Sequence, residues 1–273
     1  MVVDGGSLMT HAIILAAGKG TRMGEYTTNI PKALLRIKEK TLIQRQVDTL
    51  PRAGIENISV VTGYRSEMIN VSGVRKFHNE NYDTTNMVES LMCARESFSG
   101  DILIAYADIL YTSKLIERML KAKVDVGVAV DNSWRQMWMA RFGTAEVDLE
   151  SLDISDDGSI IEIGKPKQNS SGIDYRYIGL LKFSDLGIRE MLSIYDSKCQ
   201  TNSNWCASGN EFHQGYMTDL LSEMIGRCIR VDPVITSNGW WEFDTAEDYQ
   251  CANRLLEKND SIKGFLEGAQ WIQ

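Results

Sequence analysis

Two cations stand in a small-residue loop that follows directly on an apolar run, Ile13-Ile14-Leu15-Ala16-Ala17-Gly18-Lys19-Gly20-Thr21-Arg22-Met23-Gly24. Small side chains let backbone N–H groups approach a chain of phosphates, so Gly18, Gly20 and Thr21 are candidates to cradle one. The spacing is neither a P-loop nor GxGxxG, which argues against an ordinary kinase or dehydrogenase. Ten residues after Arg22 comes Lys32, where Pro31 stiffens the backbone just ahead of it and of the apolar Ala33-Leu34-Leu35, which makes Lys32 a placed charge. Carboxylates come later in the chain. Asp108 ends an apolar run at 102–106, and ligands of open α/β sheets sit beyond the carboxyl ends of strands. It is placed to hold a metal, although an aspartate there also caps helices and closes turns. Glu242 and Asp244 occupy alternate positions of an expected short strand and so share a face. Asp244 suits an N-cap equally well, for a helix beginning at Thr245 with Glu247 completing a capping box. Magnesium takes one or two carboxylates plus substrate phosphate oxygens, so Asp108 with Asp244, and Glu242 as a third ligand, suffice for Mg²⁺.

These residues need a scaffold that brings distant segments together, and the hydrophobic pattern supplies one. Short β-rich runs at 12–16, 58–62, 102–106 and 126–130 alternate with helix-period stretches carrying Leu42, Val47 and Leu50, then Val88 and Leu91, then Leu115, Ile116 and Met119. That alternation predicts an α/β fold with a Rossmann-like, mostly parallel or mixed central sheet flanked by helices. After residue 131 strands are expected at 144–149, 160–163 and 177–183, separated by the turn signals Asp156-Asp157-Gly158 and Ser170-Ser171-Gly172, an antiparallel elaboration of the second half. Helices are expected at 186–195, 216–225 and 245–256, with a strand at 229–234. Neither an internal repeat nor a long linker is visible. The expected organisation is one domain over 11–273, with a nucleotide-binding half at 11–131, an acceptor-binding half at 132–256 and a C-terminal segment at 257–273. Residues 1–10 are read as a flexible extension.

Composition narrows the partners. The 273 residues are 43% hydrophobic, enough for a sizeable core, and the formal net charge of −8 argues against a nucleic-acid surface, which needs clustered Lys and Arg. Five cysteines without a CxxC pair suggest neither a disulfide framework nor a zinc site and read as reduced thiols. No apolar run approaches the roughly 20 residues that span a bilayer, so no membrane partner is expected and a cytoplasmic protein is.

The loop from Leu15 to Met23, joined with Pro31-Lys32-Ala33-Leu34, resembles the signature of the sugar-phosphate nucleotidylyltransferases. The resemblance implies that Ala16, Ala17 and Gly18 face base and ribose, that Ala107 joins this nucleotide-lining set, and that Arg22 and Lys32 hold the phosphates through the reaction. Asp244-Thr245-Ala246-Glu247-Asp248 is similar to the late acidic element of that family, which supports Asp244 as a metal ligand. Asn79-Glu80-Asn81-Tyr82 with Thr85-Asn86-Met87-Val88-Glu89-Ser90-Leu91 resembles the phosphocholine cytidylyltransferase branch more specifically; Gly143-Thr144-Ala145-Glu146 and Tyr177-Ile178-Gly179 fit the sugar-1-phosphate pattern only in part. The branch implies CTP, with Asn86 and Ser90 near the nucleotide, though an N-cap and a packed helix serine account for both. It also implies Trp138, Tyr216 and Trp134 around a cationic headgroup. A tryptophan in the core is just as ordinary. Arg135, Gln136 and Arg141 depart from the branch and suit a carboxylate, amide or phosphonate acceptor, with Arg141 as the acceptor contact. The expected reaction is transfer of CMP from CTP to a small phosphorylated or phosphonylated acceptor with release of pyrophosphate. The alternatives are a sugar-1-phosphate nucleotidylyltransferase and an inactive nucleotide-binding regulator.

Overall fold

The computed structural model describes residues 10–258; the expected N-terminal extension, up to residue 9, and the C-terminal segment beyond residue 258 lie outside them. Seven strands form the main sheet: β1 (His11–Ala16), β2 (Asn57–Thr62), β3 (Arg75–His78), β4 (Ile102–Tyr106), β5 (Val126–Asp131), β6 (Arg176–Phe183) and β7 (Asp232–Thr236). Their order is β7-β5-β6-β4-β1-β2-β3, and all neighbours run parallel except β6, which is antiparallel to both β4 and β5. All six residues of β1 are buried, as a central strand covered on both faces by helices requires. Its carboxyl end therefore opens onto a crevice flanked by the ends of β2 and β4, and this is where the small-residue loop begins.

The helices are α1 (Leu42–Thr49), α2 (Met87–Met92), α3 (Ser113–Lys121), α4 (Trp134–Phe142), α5 (Asp185–Thr201), α6 (Met217–Gly226) and α7 (Ala246–Lys258). Hydroxyl caps start α1, α3 and α5, where Thr41, Thr112 and Ser184 accept from the backbone N–H groups of Gln44, Leu115 and Gly187, each at 3.2 Å. Two apolar clusters, one on each side of the sheet, join strands of both halves. Among the described residues no helix is long and apolar enough to cross a membrane.

The structure departs from the sequence pattern at three places. The strand expected at 144–149 is absent; the antiparallel pair is instead Glu150–Ile154 with Ile160–Pro166. Gly143 ends α4 in the left-handed region, Asp148 is left-handed too, and the Val147 carbonyl accepts from Trp138 Nε1 at 2.9 Å, so this stretch wraps the indole and cannot extend. Helix α4 itself was not foreseen, because its buried face, Trp134, Met137, Trp138 and Arg141, includes an arginine while Met139 on the opposite face is exposed, so hydropathy alone shows no amphipathic stripe. The strand expected at 229–234 lies at Asp232–Thr236, because the Ile229 N–H turns back to the Met224 carbonyl at the end of α6.

Candidate active site

Beyond β1 the chain leaves the sheet without a side chain large enough to fill the crevice. Gly20 takes a left-handed conformation (φ 72°), and a Cβ built on it would lie 2.8 Å from Cβ of Lys32. The Lys32 stem thus lies against the loop, and only glycine permits both the turn and the contact. Thr27 Oγ1 donates to the Gly20 carbonyl at 2.8 Å and ties the turn down. The Lys32 ammonium, 12% exposed, reaches Asp108 Oδ2 at 2.7 Å and Asp244 Oδ1 at 3.0 Å. Burial works against its charge, but Asp108 and Asp244 outweigh burial and hold the lysine above its ordinary value.

The two aspartates come from segments 136 positions apart, and the backbone brings them together. The strand Trp240–Glu242 pairs antiparallel with Ile109–Tyr111, and the Phe243 N–H donates to the Asp108 carbonyl at 2.9 Å. Trp241 and Phe243 turn into the core, so Glu242 and Asp244 face the crevice. The capping alternative for Asp244 does not hold. Asp248 Oδ2 accepts from the N–H groups of Asp244 and Thr245, at 2.9 and 2.8 Å, and its own N–H donates to Thr245 Oγ1. The box is therefore Thr245 with Asp248, and neither Asp244 nor Glu247 serves it. Burial alone would raise the Asp244 carboxyl, but Lys32 and Arg22 hold it below its ordinary value; Arg22 lies 3.3 Å away. Glu242 is pushed up to about 7, by burial first and the Asp244 charge second, against Arg141 and Arg176.

A cleft of about 310 Å³ lies over this centre. Ala16, Ala17, Gly18, Gly20, Thr21, Arg22, Lys32, Asn86, Ser90, Ala107, Asp108, Tyr216 and Asp244 all line it. Asn86 caps α2 by accepting from the Met87 N–H at 2.9 Å, and Ser90 Oγ accepts from Asn79 Nδ2 at 3.0 Å, so the capping and packing accounts of both hold while their side chains border the cleft. Asn79, which orients Ser90, carries no chemical signal of its own in the sequence beyond the resemblance of its segment.

The MobA-like NTP transferase domain model matches residues 12–162, which contain the loop, Lys32 and Asp108. The chain is 32% identical over 251 residues to CTP:phosphoglutamine cytidylyltransferase of Campylobacter jejuni, covering 88% of this chain and 98% of the relative. The chain belongs to the MobA-like NTP transferase family. It is also 36% identical over 254 residues to choline-phosphate cytidylyltransferase of Streptococcus pneumoniae, covering 92% of this chain and 99% of that one. A solved structure of CTP:phosphocholine cytidylyltransferase from Streptococcus pneumoniae shares the fold with a TM-score of 0.69, at 22% identity over 91% of this chain and 100% of that one.

In this NTP transferase a second cavity, of about 650 Å³, shares Arg22, Met87, Tyr106, Tyr216 and Asp244 with the first and continues over Asp148, Glu150, Arg176 and Tyr177. Of the residues expected around an acceptor headgroup only Tyr216, 45% exposed, stands in it. Trp134 and Trp138 are corrected to core residues: both are fully buried, with Nε1 donating to the carbonyls of Ile173 and Val147. The cations on the Trp138 ring are the protein's own, the guanidinium groups of Arg141 and Arg176, each 4.7 Å from its centre. Arg141 is likewise not an acceptor contact. Its guanidinium binds both oxygens of Asp248, at 2.8 and 2.9 Å, and Glu242 Oε2 at 2.8 Å, with no exposed side-chain surface. It fixes the orientation of Glu242 and anchors the start of α7. The sequence reading missed Asp148, whose carboxylate oxygen lies with those of Glu242 and Asp244 within 4.8 Å, and Arg176, which pairs with Asp148 at 2.8 Å. The only local signal for Arg176 was its place directly before the Tyr177-Ile178-Gly179 run.

Proposed function

We propose that this NTP transferase moves CMP from CTP to a small phosphorylated or phosphonylated acceptor and releases pyrophosphate, with residues 11–256 acting as one catalytic unit in the cytoplasm. The observation that carries this reading is Lys32, whose ammonium stands in the glycine-loop cleft between Asp108 and Asp244, the second of which also lines the second cavity. An α-phosphate reached from the loop and an acceptor oxygen reached from the second cavity meet at that charge. The curated relatives named above, and a 2-aminoethylphosphonate cytidylyltransferase of Lancefieldella rimae 29% identical over 181 residues, support CTP and a small acceptor of this kind.

The donor set fits a magnesium ion. Asp108 Oδ1 is buried without a hydrogen-bond partner among the described residues, and across Lys32 from it Asp244 lies in a cluster with Glu242 and Asp148 whose carboxylate oxygens come within 4.8 Å of one another. Asp108 and Asp244, with Glu242, would hold Mg²⁺, which supplies positive charge to the α-phosphate and the departing pyrophosphate. An oxygen of the acceptor phosphate attacks the α-phosphorus in line, forming one O–P bond as the α–β bridging bond breaks and its electron pair leaves on pyrophosphate. Lys32 and Arg22 meet the charge that builds on the α-phosphate oxygens, and the loop between Gly18 and Thr21 holds the chain in line. The attacking oxygen is already anionic, so no side chain has to remove a proton; His11 is held by Ser59 and the Ser97 carbonyl inside the fold.

Pyrophosphate release across four nucleoside triphosphates and a panel of acceptors, with Mg²⁺, tests the reading. CTP with a small amino-phosphate or phosphonate is expected to win. A best pair of UTP or dTTP with a hexose 1-phosphate would assign the sugar-nucleotide reaction instead, and tight CTP binding without turnover would make the protein a regulator.

A further inference from the structure

Arg176 begins β6 at the carboxyl edge of the parallel strands, because β6 runs antiparallel to its neighbours, and so stands over the second cavity. Its side chain is 8% exposed. One arm is satisfied by Asp148, and the guanidinium stacks on Trp138 at 4.7 Å, which fixes its plane. The other arm, Nη1, is buried and finds no hydrogen-bond partner among the described residues. A buried donor without a partner is rare, and a planar, pre-oriented guanidinium is the side chain suited to grip a carboxylate with two parallel bonds. Beside it Glu150 presents its carboxylate to the same cavity, within electrostatic reach of Arg176.

Resting on the cytidylyl-transfer reading above, we infer that Arg176 determines acceptor specificity: its free arm binds a carboxylate that the acceptor carries in addition to its phosphate or phosphonate. The acceptor is then a phosphorylated or phosphonylated amino acid or a derivative that keeps the carboxylate. Its phosphorus end lies toward Arg22 and Asp244, which the two cavities share, and its carboxylate lies toward Arg176. Glu150 faces the amino group. The indoles of Trp134 and Trp138 are buried away from the cavity, whose rings are those of Tyr106, Tyr177 and Tyr216, and the charges of Arg176 and Glu150 beside them are those that recognise a zwitterion.

The test uses two pairs of compounds that differ only by a carboxylate, phosphoserine against phosphoethanolamine and 2-amino-3-phosphonopropionate against 2-aminoethylphosphonate. Each is titrated calorimetrically into the full chain with MgCl₂. The carboxylated member should bind about tenfold tighter or more in at least one pair, the scale of one charge-assisted hydrogen bond. Arg176→Met should erase that ratio while leaving the affinity of the carboxylate-free member within about twofold. Equal affinities within both pairs, binding of none of the four, or a ratio that survives in the folded Arg176→Met protein would overturn the inference. The wild-type comparison stands even where the variant does not fold. CTP turnover without a carboxylate preference would sink this inference alone, whereas absence of CTP turnover with any acceptor would sink the proposed reaction.

Discussion

Lys32 holds two carboxylates together as well as facing the cleft, and Lys32→Met separates the two roles. The substitution keeps the length of the stem that packs on Gly20 and removes only the ammonium. Asp108 and Asp244 are then left opposite one another, 21% and 13% exposed, with no cation between them except the exposed Arg22 on one side. Removing one partner from a buried charge group costs about 3 to 5 kcal/mol. For a domain of this size each kcal/mol lowers Tm by roughly 2 to 4 °C, so in EDTA the variant should melt about 6 to 20 °C below the parent.

Magnesium then divides structure from catalysis. A divalent cation bound by the same aspartates replaces the missing charge, so the melting gap should narrow as Mg²⁺ is raised, and the variant should gain more Tm from Mg²⁺ than the parent does. Turnover should not follow, since a metal on the carboxylates leaves the α-phosphate oxygens without the Lys32 donor; kcat should stay down by about 100-fold or more at saturating Mg²⁺. Differential scanning fluorimetry and pyrophosphate release on the same preparations provide both readouts. Near-parental turnover at saturating Mg²⁺ would remove Lys32 from the chemistry, and a melting gap indifferent to Mg²⁺ would refute the shared cation site.

Three further outcomes follow from the same centre. Arg141→Met should lower Tm on the same scale as Lys32→Met, because it strands Asp248 and Glu242, while KM for the acceptor moves less than twofold in variants that stay folded; a selective rise in acceptor KM would restore Arg141 as a contact. Gly20→Ala should depress kcat at least about tenfold with little loss of stability beyond about 2 kcal/mol, since its Cβ would push Lys32 aside and its φ is positive, and unchanged kcat would show the loop to be tolerant. Glu242 favours its protonated form in the fold, with its value lifted from 4.5 to about 7. It therefore contributes about 3 kcal/mol of stability that is present below pH 4.5 and lost as pH rises through 7. In metal-free buffer, Glu242→Gln should gain about that much stability relative to the parent between pH 4.5 and 8; a difference that stays flat with pH would show that the group is not lifted.

What the sequence showed of this site follows how local each cause is. The loop between Gly18 and Thr21 is a property of consecutive backbone torsions and small side chains, and Asp108 at the end of a buried strand is a property of sheet topology, so both were legible from spacing. Asp244 was legible only as a choice, since Asp-Thr-Ala-Glu-Asp can start a helix at either of two positions; the contacts decide it, because the Asp248 carboxylate is held by Arg141 from another helix and takes the N–H groups of both Asp244 and Thr245. Trp134, Trp138 and Arg141 misled for one shared reason. Residue type gives the chemistry a side chain can do but not the partner that reaches it, and the partners here are distant: Glu242 and Asp248 stand 101 and 107 positions from Arg141. The Trp138 ring that could have received a ligand's cation received two arginines of the same chain. The same pairing hid Arg176 and Asp148, which carry no motif and acquire their position only when β6 inserts antiparallel between β4 and β5. The glycine-loop cleft therefore reads from short motifs, whereas the second cavity, where we place the acceptor, is a product of long-range packing. A relative could keep every motif of the first cleft and exchange its acceptor by changing only the residues that face the second cavity.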